Sequence, residues 1–563
     1  MEKPIIYQVF TRLFGNDKGI NIKNGDRSQN GCGVMNDFTL RALNEIKLLG
    51  VTHVWFTGII EHATQTDYSF YGITRDHHAV VKGKAGSAYA IKDYYDIDPD
   101  IATSVPARMK EFEQLLLRTH SLGLKAIIDF VPNHVARQYH SDVCPRGAVD
   151  LGAGDDITQS FSPQNNFYYF PGESFHTDFD LRQDENEPYS ESPARATGND
   201  VFGSYASHND WYETVKLNYG VDYLDGRRTH FTPVPATWLK MLDILKYWAD
   251  KGVDGFRCDM AEMVPVEFWG WAIPKVKGGH PNVIFIAEVY NPAEYRNYVQ
   301  NGHFDYLYDK VGLYDTLRAV VCGNANASDI TRCWQAVDDI RPQMLSFLEN
   351  HDEQRIASDF FAGDGDRGRA AMLVAATFSK GPVMLYFGQE LGERGMDEEG
   401  FSGRDGRTTI FDYWTVNTVS RWRNGGSFDG QKLTPKEVEL QQFYRNLLNI
   451  CNDDPAITKG DFYDLMYVNP HTEHFNPHRH YAYLRHGERS TLLIVANFDE
   501  QPASMQINIP QHAFKFFRMH PRKKIRAINL LTGEAVATSF THEAPTCVDV
   551  PALGGVILKV TAR

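Results

Sequence analysis

Three features of the sequence predict an α/β fold built on a (β/α)8 TIM barrel, with an inserted domain after strand 3 and a C-terminal antiparallel β-sandwich. Amphipathic helices that end in glycine are each followed within three residues by a β-rich segment. Many of these segments are nearly uninterrupted apolar runs, such as AIIDFV and VIFIAEV, as expected of parallel strands covered by helices on both faces. Near residue 455 the helix–strand units give way to short alternating runs separated by turn residues.

The repeated helix–strand unit decides the architecture. Candidate helices at 39–50, 107–123 and 237–252 each end at glycine, which suits the left-handed residue that closes many helices. Eight strands alternating with helices favour a closed barrel over a doubly wound open sheet, the alternative fold. In the third helix one apolar stripe recurs at helical spacing: Trp238, Leu242, Leu245 and Ala249. The candidate strands are 5–10, 52–57, 125–131, 254–259, 283–289, 304–308, 343–348 and 382–387.

Changes in composition set the predicted domain limits. The segment 134–223 is rich in Gly, Pro, Ser, Asn and Asp and is too long for an ordinary loop, so we predict an inserted domain there. Residues 1–133 and 224–454 form the predicted barrel. Beyond residue 455, short alternating runs such as HYAYLRHG and STLLIVANF predict the β-sandwich, residues 455–563.

The charge, apolar stretches and cysteine spacing of the chain exclude some classes of partner. A net charge of −15 argues against a nucleic-acid partner, because affinity for polyphosphate comes mostly from clustered Lys and Arg. No stretch approaches eighteen apolar residues, so no membrane association is expected. The seven cysteines are scattered and lack CxxC spacing, which indicates reduced thiols. The N-terminal MEKPIIYQVF does not resemble a signal peptide, and the expected location is the cytoplasm.

Polar residues cluster at the ends of four predicted strands. Each cluster alone is an ordinary turn signature or ion pair. In a β/α barrel, however, the C-terminal ends of the strands surround one bowl, where catalytic groups converge. The clusters are DFVPNH at 129–134, GFRCD at 255–259, AEV at 287–289 and ENHD at 349–352.

These clusters contain the groups needed to cleave a glycosidic bond. One carboxylic acid must protonate the departing oxygen, and a second carboxylate must attack or support the sugar carbon. Asp259 has Arg257 two residues before it on the same strand face, an environment that keeps a carboxylate ionised. Glu288 is predicted to face Asp259 and Asp352 across the bowl, and nearby negative charge helps it to retain a proton.

The four clusters resemble, in order and spacing, the conserved regions of the α-amylase family of glycoside hydrolases (family 13). The resemblance implies Asp259 as nucleophile, Glu288 as acid/base and Asp352 as the carboxylate that holds sugar hydroxyls and stabilises the transition state. It also extends to GSAYAIKDYYDIDP, to YFGQE near strand eight and to a C-terminal β domain, and so covers essentially the whole chain. The residues that it implies as binding the sugar at the cleavage point are Tyr89, as a stacking platform, His134, Arg257 and His351.

Two departures from the family pattern stand out. Glu262 and Met263 replace a Lys-His pair that often reaches the leaving-group side. Lys216, in TVKLN, replaces an Asp that commonly binds calcium. Asn133 keeps the other calcium-ligand type but is a poor site alone, because calcium needs six or more oxygens. We therefore expect no required cofactor, with the usual calcium absent or weak and the Lys216 ammonium as a substitute charge.

Two further sets of residues are of types that bind metals, but for both we favour an interpretation without a metal. Several aspartates in the insert are expected to be solvated loop acids. The histidine-rich tract HTEHFNPHRH, residues 471–480, has no zinc-type companion and is expected to be a surface loop. The aspartates are Asp178, Asp180, Asp184, Asp200 and Asp210.

The predicted function is hydrolysis of α-1,4-glucosidic bonds in starch-like glucans or maltooligosaccharides, with net retention through a covalent glucosyl-enzyme. A close alternative passes the sugar to another sugar, as in glucan transglycosylases or trehalose-forming enzymes, since only the acceptor differs. A remote alternative is an inactive sugar-binding protein on the same fold. A binding protein need not keep a complete acid and nucleophile, so the intact carboxylates argue against it.

Overall fold

The eight predicted strands form a closed parallel barrel in a computed structural model that describes residues 3–181, 188–398 and 400–561. Neighbours in sequence are neighbours in the barrel, and the last strand pairs with the first, Val383 opposite Ile5. The predicted barrel is therefore confirmed. The strands are β1 (Ile5–Phe10), β2 (His53–Thr57), β3 (Lys125–Phe130), β4 (Gly255–Cys258), β5 (Ile284–Ala287), β6 (Tyr306–Tyr308), β7 (Met344–Phe347) and β8 (Val383–Tyr386).

Helices surround the barrel and bury their apolar stripes against it. The three predicted helices are present as Leu40–Leu48, Arg108–Ser121 and Ala236–Asp250. The glycine after each has a φ between 73° and 98°, the left-handed value expected of a helix-closing glycine. The stripe in the third helix is at most 6% exposed at each position. The other helices of six residues or more are Val266–Gly279, Tyr295–Gln300, Asp315–Val321, Ile330–Ala336, Arg369–Thr377, Asn417–Arg423, Pro435–Asp453 and Gln511–Phe516.

The described residues contain no helix that is both long and apolar enough to cross a bilayer.

Burial follows the two-residue period of the strands, which separates two cores. Along β3, Ile127 belongs to a cluster inside the barrel, whereas Ile128 belongs to the larger core between strands and helices. Trp55 and Tyr308 are also interior residues and lie beneath the side chains at the strand ends.

The segment after β3 is ordered by a short antiparallel ladder. His134–Ala136 pairs with Thr214–Lys216, and the register sets Lys216 opposite His134. Arg137 is fully buried and holds the loops around this ladder: it forms an ion pair with Glu191 at 2.8 Å and donates to the backbone carbonyls of Tyr212 and Thr214. The ladder therefore fixes Lys216 beside the C-terminal end of β3.

The C-terminal part is antiparallel, as predicted. A six-stranded sheet and a two-stranded sheet form it, and the six-stranded sheet packs on the barrel helix Arg369–Thr377. Gly555 is at this contact, where an added Cβ would lie 2.2 Å from Leu373 Cδ2. The strands of the large sheet are Asp461–Asp464, His480–His486, Ser490–Asn497, Gly554–Thr561, Arg522–Asn529 and Ala535–Phe540; the small sheet pairs Ala503–Ile507 with Thr546–Val550.

Candidate active site

A cavity of about 910 Å³ opens at the C-terminal ends of the barrel strands. It is lined by six of the seven side chains that the sequence assigns to catalysis or sugar binding. The seventh, Arg257, is fully buried beneath them. The strand-end clusters are thus brought together as the barrel geometry requires. The six lining residues are Tyr89, His134, Asp259, Glu288, His351 and Asp352.

Arg257 joins two of the acids. Its Nη1 donates to Asp259 Oδ1 at 2.8 Å, and its Nη2 lies 2.8 Å from Glu288 Oε2. The Tyr308 hydroxyl accepts from its Nε at 3.2 Å, which fixes the plane of the guanidinium. Burial by itself lowers the pKa of Arg257. The charge of Glu288, and then the interactions with Tyr308, Tyr89 and Asp259, outweigh this effect and raise the pKa well above its usual range. A permanent cation therefore bridges Asp259 and Glu288.

The two oxygens of Glu288 have different surroundings. Oε2 accepts the Met260 backbone N–H at 2.7 Å and also faces Arg257. Oε1 lies 2.5 Å from the Tyr290 hydroxyl, which can donate or accept. Because the Met260 N–H donates to Oε2 and the positive charge of Arg257 lies beside it, a proton on Glu288 belongs on Oε1. Burial, and then the charge of Glu288, raise the pKa of Tyr290 well above its usual value, so Tyr290 keeps its hydroxyl proton.

Tyr290 was not among the predicted site residues. It lines the cavity two positions after Glu288, and the alternation of an extended chain puts both side chains on one side. That spacing was the available signal. Met260, whose backbone N–H holds Glu288, was also missed; it has a φ of 42° directly after Asp259, a conformation uncommon for a residue with a side chain.

His351 connects Asp352 to the barrel floor. Its Nε2 lies 3.1 Å from Asp352 Oδ2, and its Nδ1 lies 2.9 Å from the Gln8 side-chain nitrogen. Burial, and then the charge of Arg257, lower the pKa of His351 well below its usual value, so the ring is neutral. With Gln8 donating to Nδ1, the ring proton lies on Nε2, the nitrogen nearer Asp352. The ring of Tyr89 stacks on His351 at 4.9 Å between centroids.

The carboxyl groups of Asp259, Glu288 and Asp352 lie together in the cavity, close to the Arg257 guanidinium. Burial raises the pKa of Asp259 well above its usual value, Arg257 opposes this, and Glu288 and Asp352 add to it. The pKa of Asp352 is raised to about 7 by its withdrawal from water and then by the charge of Glu288. Burial and mutual repulsion therefore favour retention of a proton by this cluster near neutral pH. An acid and an ionised nucleophile can coexist in such a site.

His134 and Trp211 form another wall of the cavity. Their ring centroids are 5.2 Å apart, and both side chains line the opening. Burial, and then the charge of Lys216, lower the pKa of His134 to about 3, so this ring is also neutral. Beside them Lys82 pairs with Glu213 at 3.1 Å. Trp211 was not among the predicted site residues, because nothing in the local sequence indicates which aromatic side chains of the insert face the barrel.

Lys216 occupies the position where the family resemblance suggested calcium chemistry. Its ammonium donates to Asn133 Oδ1, pairs with Asp200 Oδ1 at 2.6 Å and approaches the Met263 carbonyl at 3.4 Å. Lys216 and Asn133 are at most 2% exposed. Three oxygens that could ligate a cation are therefore directed at an ammonium carried by the chain itself.

The histidine-rich tract and the five aspartates of the insert contribute no residue to the cluster of potential metal ligands found in the described ranges. In the described ranges one group of three potential ligands lies close together, Glu61, Asp93 and Asp96; it includes no residue of the histidine-rich tract. Asp200 is not a solvated loop acid as expected, since it pairs with Lys216. Asp178 and Asp210 accept backbone N–H groups, and Asp184 lies outside the described residues.

Comparisons with known proteins point to one family. The family model "Alpha amylase, catalytic domain" matches residues 8–421. The chain is 24% identical to alpha-amylase MalA of Haloarcula japonica, over 90% of this chain but only 56% of that protein. It is 24% identical to alpha-amylase 3 of Dictyoglomus thermophilum, over 82% of this chain and 79% of that protein.

A solved structure shares the whole fold. The maltogenic alpha-amylase AmyB from Thermotoga neapolitana superposes with a TM-score of 0.61 at 20% identity, covering 100% of this chain and 99% of that one. Another similar structure is the alpha-amylase of Geobacillus thermoleovorans, solved with acarbose, with a TM-score of 0.63 at 17% identity, covering 100% of this chain and 98% of that one. At these identities the likeness concerns the fold.

Proposed function

The chain belongs to the α-amylase family of glycoside hydrolases, and we propose that it hydrolyses α-1,4-glucosidic bonds of starch-like glucans or maltooligosaccharides with net retention. One observation carries the proposal. Asp259 and Glu288 are held by the same guanidinium in a cavity that Asp352 also enters. That set supplies an ionised nucleophile, a proton donor and a third carboxylate for the sugar hydroxyls.

In the first step Asp259 attacks C1 of the glucosyl unit while Glu288 transfers the proton from Oε1 to the glycosidic oxygen. The bond from C1 to that oxygen breaks, its electron pair leaves with the departing sugar, and an ester forms between C1 and Asp259. Arg257 supports this step because its Nη1 hydrogen-bonds the attacking carboxylate and favours its ionised form.

In the second step Glu288, now ionised, removes a proton from water, and the water oxygen attacks C1. The ester bond breaks and Asp259 departs as a carboxylate, while Glu288 regains its proton. Each step inverts the configuration at C1, so the product retains the starting configuration. Asp352, with the neutral His351 beside it, is suited to accept hydrogen bonds from sugar hydroxyls in both steps.

The substrate class follows from the lining of the cavity. Rings of Tyr89 and Trp211 offer apolar faces to a sugar, and carboxylates offer acceptors for its hydroxyls. The negative charge of the three acids disfavours an anionic, phosphorylated substrate. Relatives of the chain carry the names alpha-amylase and oligo-1,6-glucosidase, so an α-glucoside is also the expected class by similarity.

Catalysis is tested by Asp259→Asn. This change keeps the size of the side chain and removes the nucleophile, so we expect kcat on a chromogenic α-maltoside to fall by about 10⁴-fold or more. Asp250→Asn is the matched control, since Asp250 is 73% exposed on a helix outside the cavity. Equal rates for Asp259→Asn and wild type would leave only a sugar-binding function.

The stereochemical and acceptor questions need separate measurements. Proton NMR during hydrolysis of maltotriose should detect the α-anomer first; initial release of the β-anomer would contradict retention. Chromatography of the same reaction distinguishes water from sugar as acceptor. Products longer than maltotriose, or trehalose, would assign the chain to the transglycosylating alternative.

We further propose that the chain works without calcium at the site beside Asn133. The oxygens that would ligate the ion, from Asn133, Asp200 and the Met263 backbone, surround the Lys216 ammonium. A fixed cation there would repel a second one, so these residues do not fit calcium. Under this proposal, EDTA leaves both activity and melting temperature unchanged.

A further inference from the structure

The direction of a bound glucan chain follows from the position of the proton donor. Glu288 directly follows β5 and protonates the departing oxygen in the proposed mechanism, so the reducing-end part of the substrate leaves on the side of β5. The unit attacked at C1 continues through its O4, on the opposite edge of the sugar ring. In the closed ring of eight strands, β1 lies across from β5 and β8 lies across from β4. The non-reducing part of the substrate therefore extends toward the loops that follow β8, β1 and β2.

The active-site cavity is bounded very unequally on these two sides. The segments 23–24, 82–89 and 407–414, which follow β1, β2 and β8, all contribute lining residues, and together they are called the end wall here. After Glu288 the lining includes Tyr290 and then nothing before His351, although the structure describes every residue between them. The cavity thus has a wall on the non-reducing side and lacks one on the side of the departing sugar.

Asparagine side chains fasten the loop after β1 to the loop after β8. The Asn16 amide donates to the Trp414 carbonyl at 2.9 Å. Asn21 and Thr415 exchange two bonds: the Asn21 amide donates to the Thr415 carbonyl at 2.9 Å and accepts the Thr415 N–H at 2.7 Å. Asn30 donates to a carbonyl of the same loop at 2.8 Å. Because Asn16 and Asn30 are buried, separating the two loops would leave buried amide groups without partners, which is costly.

The loop after β2 is joined to the same segment. The Ala85 N–H donates to the Phe411 carbonyl at 3.1 Å. The buried Arg12, which follows β1, donates to the Gly86 carbonyl at 2.9 Å and also to the Ile410 carbonyl. The three loops are therefore held together through their backbones, and the end wall is a fixed part of the site.

We propose that the end wall makes this enzyme act from the non-reducing ends of glucan chains, releasing a product of one fixed short length. This inference rests on the proposed function. Cleavage of an internal bond requires chain on both sides of the attacked unit, and the end wall excludes a long chain on one of them. The departing part, on the side beyond β5, can have any length.

The test compares two forms of maltoheptaose that carry a fluorescent label at the reducing end. One is unmodified at its non-reducing end, and the other is blocked there by an ethylidene group across O4 and O6. Wild type should cleave the blocked compound about 100-fold more slowly, because bulk added to the terminal sugar meets the end wall. Chromatography of the unblocked reaction should show a single labelled product at early times, shortened by a fixed number of units.

A variant with a loosened end wall tests the residues that hold it. Asn16→Ala with Asn21→Ala removes side-chain bonds between two of the loops, so the rate on the blocked compound relative to the unblocked one should rise about tenfold. This ratio is informative because loss of folded protein lowers both rates equally. Asn446→Ala is the matched control, since the Asn446 amide also donates to a backbone carbonyl, that of Leu531, but does not line the cavity.

The outcomes separate this proposal from the proposed function. Equal wild-type rates on the two compounds, or early labelled products of many lengths, would overturn chain-end action and leave the proposed hydrolysis intact. A ratio that stays the same in the double variant, or that rises equally in Asn446→Ala, would contradict the role of the end wall. A wild type that cleaves neither compound would overturn the proposed function, and chain-end action with it.

Discussion

At the scale of single residues, Tyr290 controls the one oxygen of Glu288 that is free to carry the transferred proton. Its hydroxyl lies 2.5 Å from Oε1, whereas Oε2 is occupied by Met260 N–H and Arg257. A phenol that donates to a carboxylate stabilises the ionised form. It also fixes the direction of the carboxyl group, so Tyr290 is a positioning residue for the acid.

We expect Tyr290→Phe to lower kcat by about tenfold with little change in KM, because a hydrogen bond to a charged group is lost from the reacting set. Steady-state kinetics on a chromogenic α-maltoside measures kcat and KM separately. Tyr295→Phe is the control, since Tyr295 does not line the cavity. An equal fall of kcat in the control, or a rise in KM with kcat unchanged, would contradict the positioning role.

The carboxyl cluster should also affect stability. The pKa of Asp352 is about 7 in the folded chain, against about 3.9 for an unfolded aspartate. A raised pKa in the folded state contributes stability at low pH that is lost as pH rises through about 7. Asp352→Asn should therefore abolish activity yet melt higher than wild type at pH 8, with the difference shrinking by pH 5.

Melting curves at several pH values of Asp352→Asn and Asp338→Asn make the comparison. Asp338 is 60% exposed and away from the active site, so its variant should follow wild type at every pH. A difference in melting temperature between Asp352→Asn and wild type that stays constant from pH 5 to pH 8 would show that the negative charge of Asp352 does not destabilise the fold.

The residues at strand ends were predictable because the barrel topology dictates their meeting. Asp259, Glu288 and Asp352 come from β4, β5 and β7, and parallel strands present their ends to one bowl. Tyr290 could have been found from its position two residues after Glu288. Trp211 lies in a loop whose path depends on contacts that no periodic pattern records, so its nearness to the acids was beyond local reasoning.

At the scale of elements, the ladder after β3 explains why Lys216 reaches Asn133. The antiparallel register places Lys216 opposite His134, and His134 directly follows Asn133 in the chain. The substitution of lysine for a calcium-type ligand was visible in the sequence. The ladder was not, since strands of three residues give no alternation long enough to recognise.

Lys216→Asp should convert the ammonium site into a calcium site. The new carboxylate would join Asn133 Oδ1, the Asp200 carboxylate and the Met263 carbonyl, and water can complete the shell. Calcium at a hundred times its Kd should then add about 2.7 kcal/mol to the free energy of unfolding. Melting temperatures with and without calcium measure this effect. Wild type and Lys216→Ala are the controls and should not respond; a response in wild type would contradict the proposed substitution.

At the scale of the whole molecule, the C-terminal sheet docks on the barrel through a contact that admits no side chain. A Cβ at Gly555 would lie 2.2 Å from Leu373 Cδ2 and 2.6 Å from the Val495 carbonyl oxygen. At Gly554 the nearest atom would be 3.2 Å away. The close approach thus concerns one position of the strand Gly554–Thr561.

We expect Gly555→Ala to lower the free energy of unfolding by about 1–3 kcal/mol, because the sheet must move away from the barrel helix. Gly554→Ala should cost less, which makes it the neighbouring control. Adding Leu373→Ala should relieve part of the clash, so the two costs will not be additive. Denaturant unfolding gives the free energy of unfolding of Gly555→Ala, Gly554→Ala, Leu373→Ala and the double variant Gly555→Ala with Leu373→Ala. Equal losses of stability at the two glycines would contradict the docking contact.

The barrel strands and the antiparallel C-terminal part were predictable because long apolar runs and alternation survive in the sequence. How they pack together was not. The contact between Gly555 and Leu373 joins residues 182 positions apart (555 − 373), and nothing local to either residue anticipates it.

The ammonium beside Asn133 has a consequence for where the molecule can work. A bound metal obeys mass action and is lost on dilution, or to citrate, oxalate and other sequestrants. A cation joined to the backbone by four methylene groups is present at a stoichiometry of one in every folded copy. Under the proposed replacement of calcium by this ammonium, folding of this part of the chain does not depend on the supply of a mineral ion.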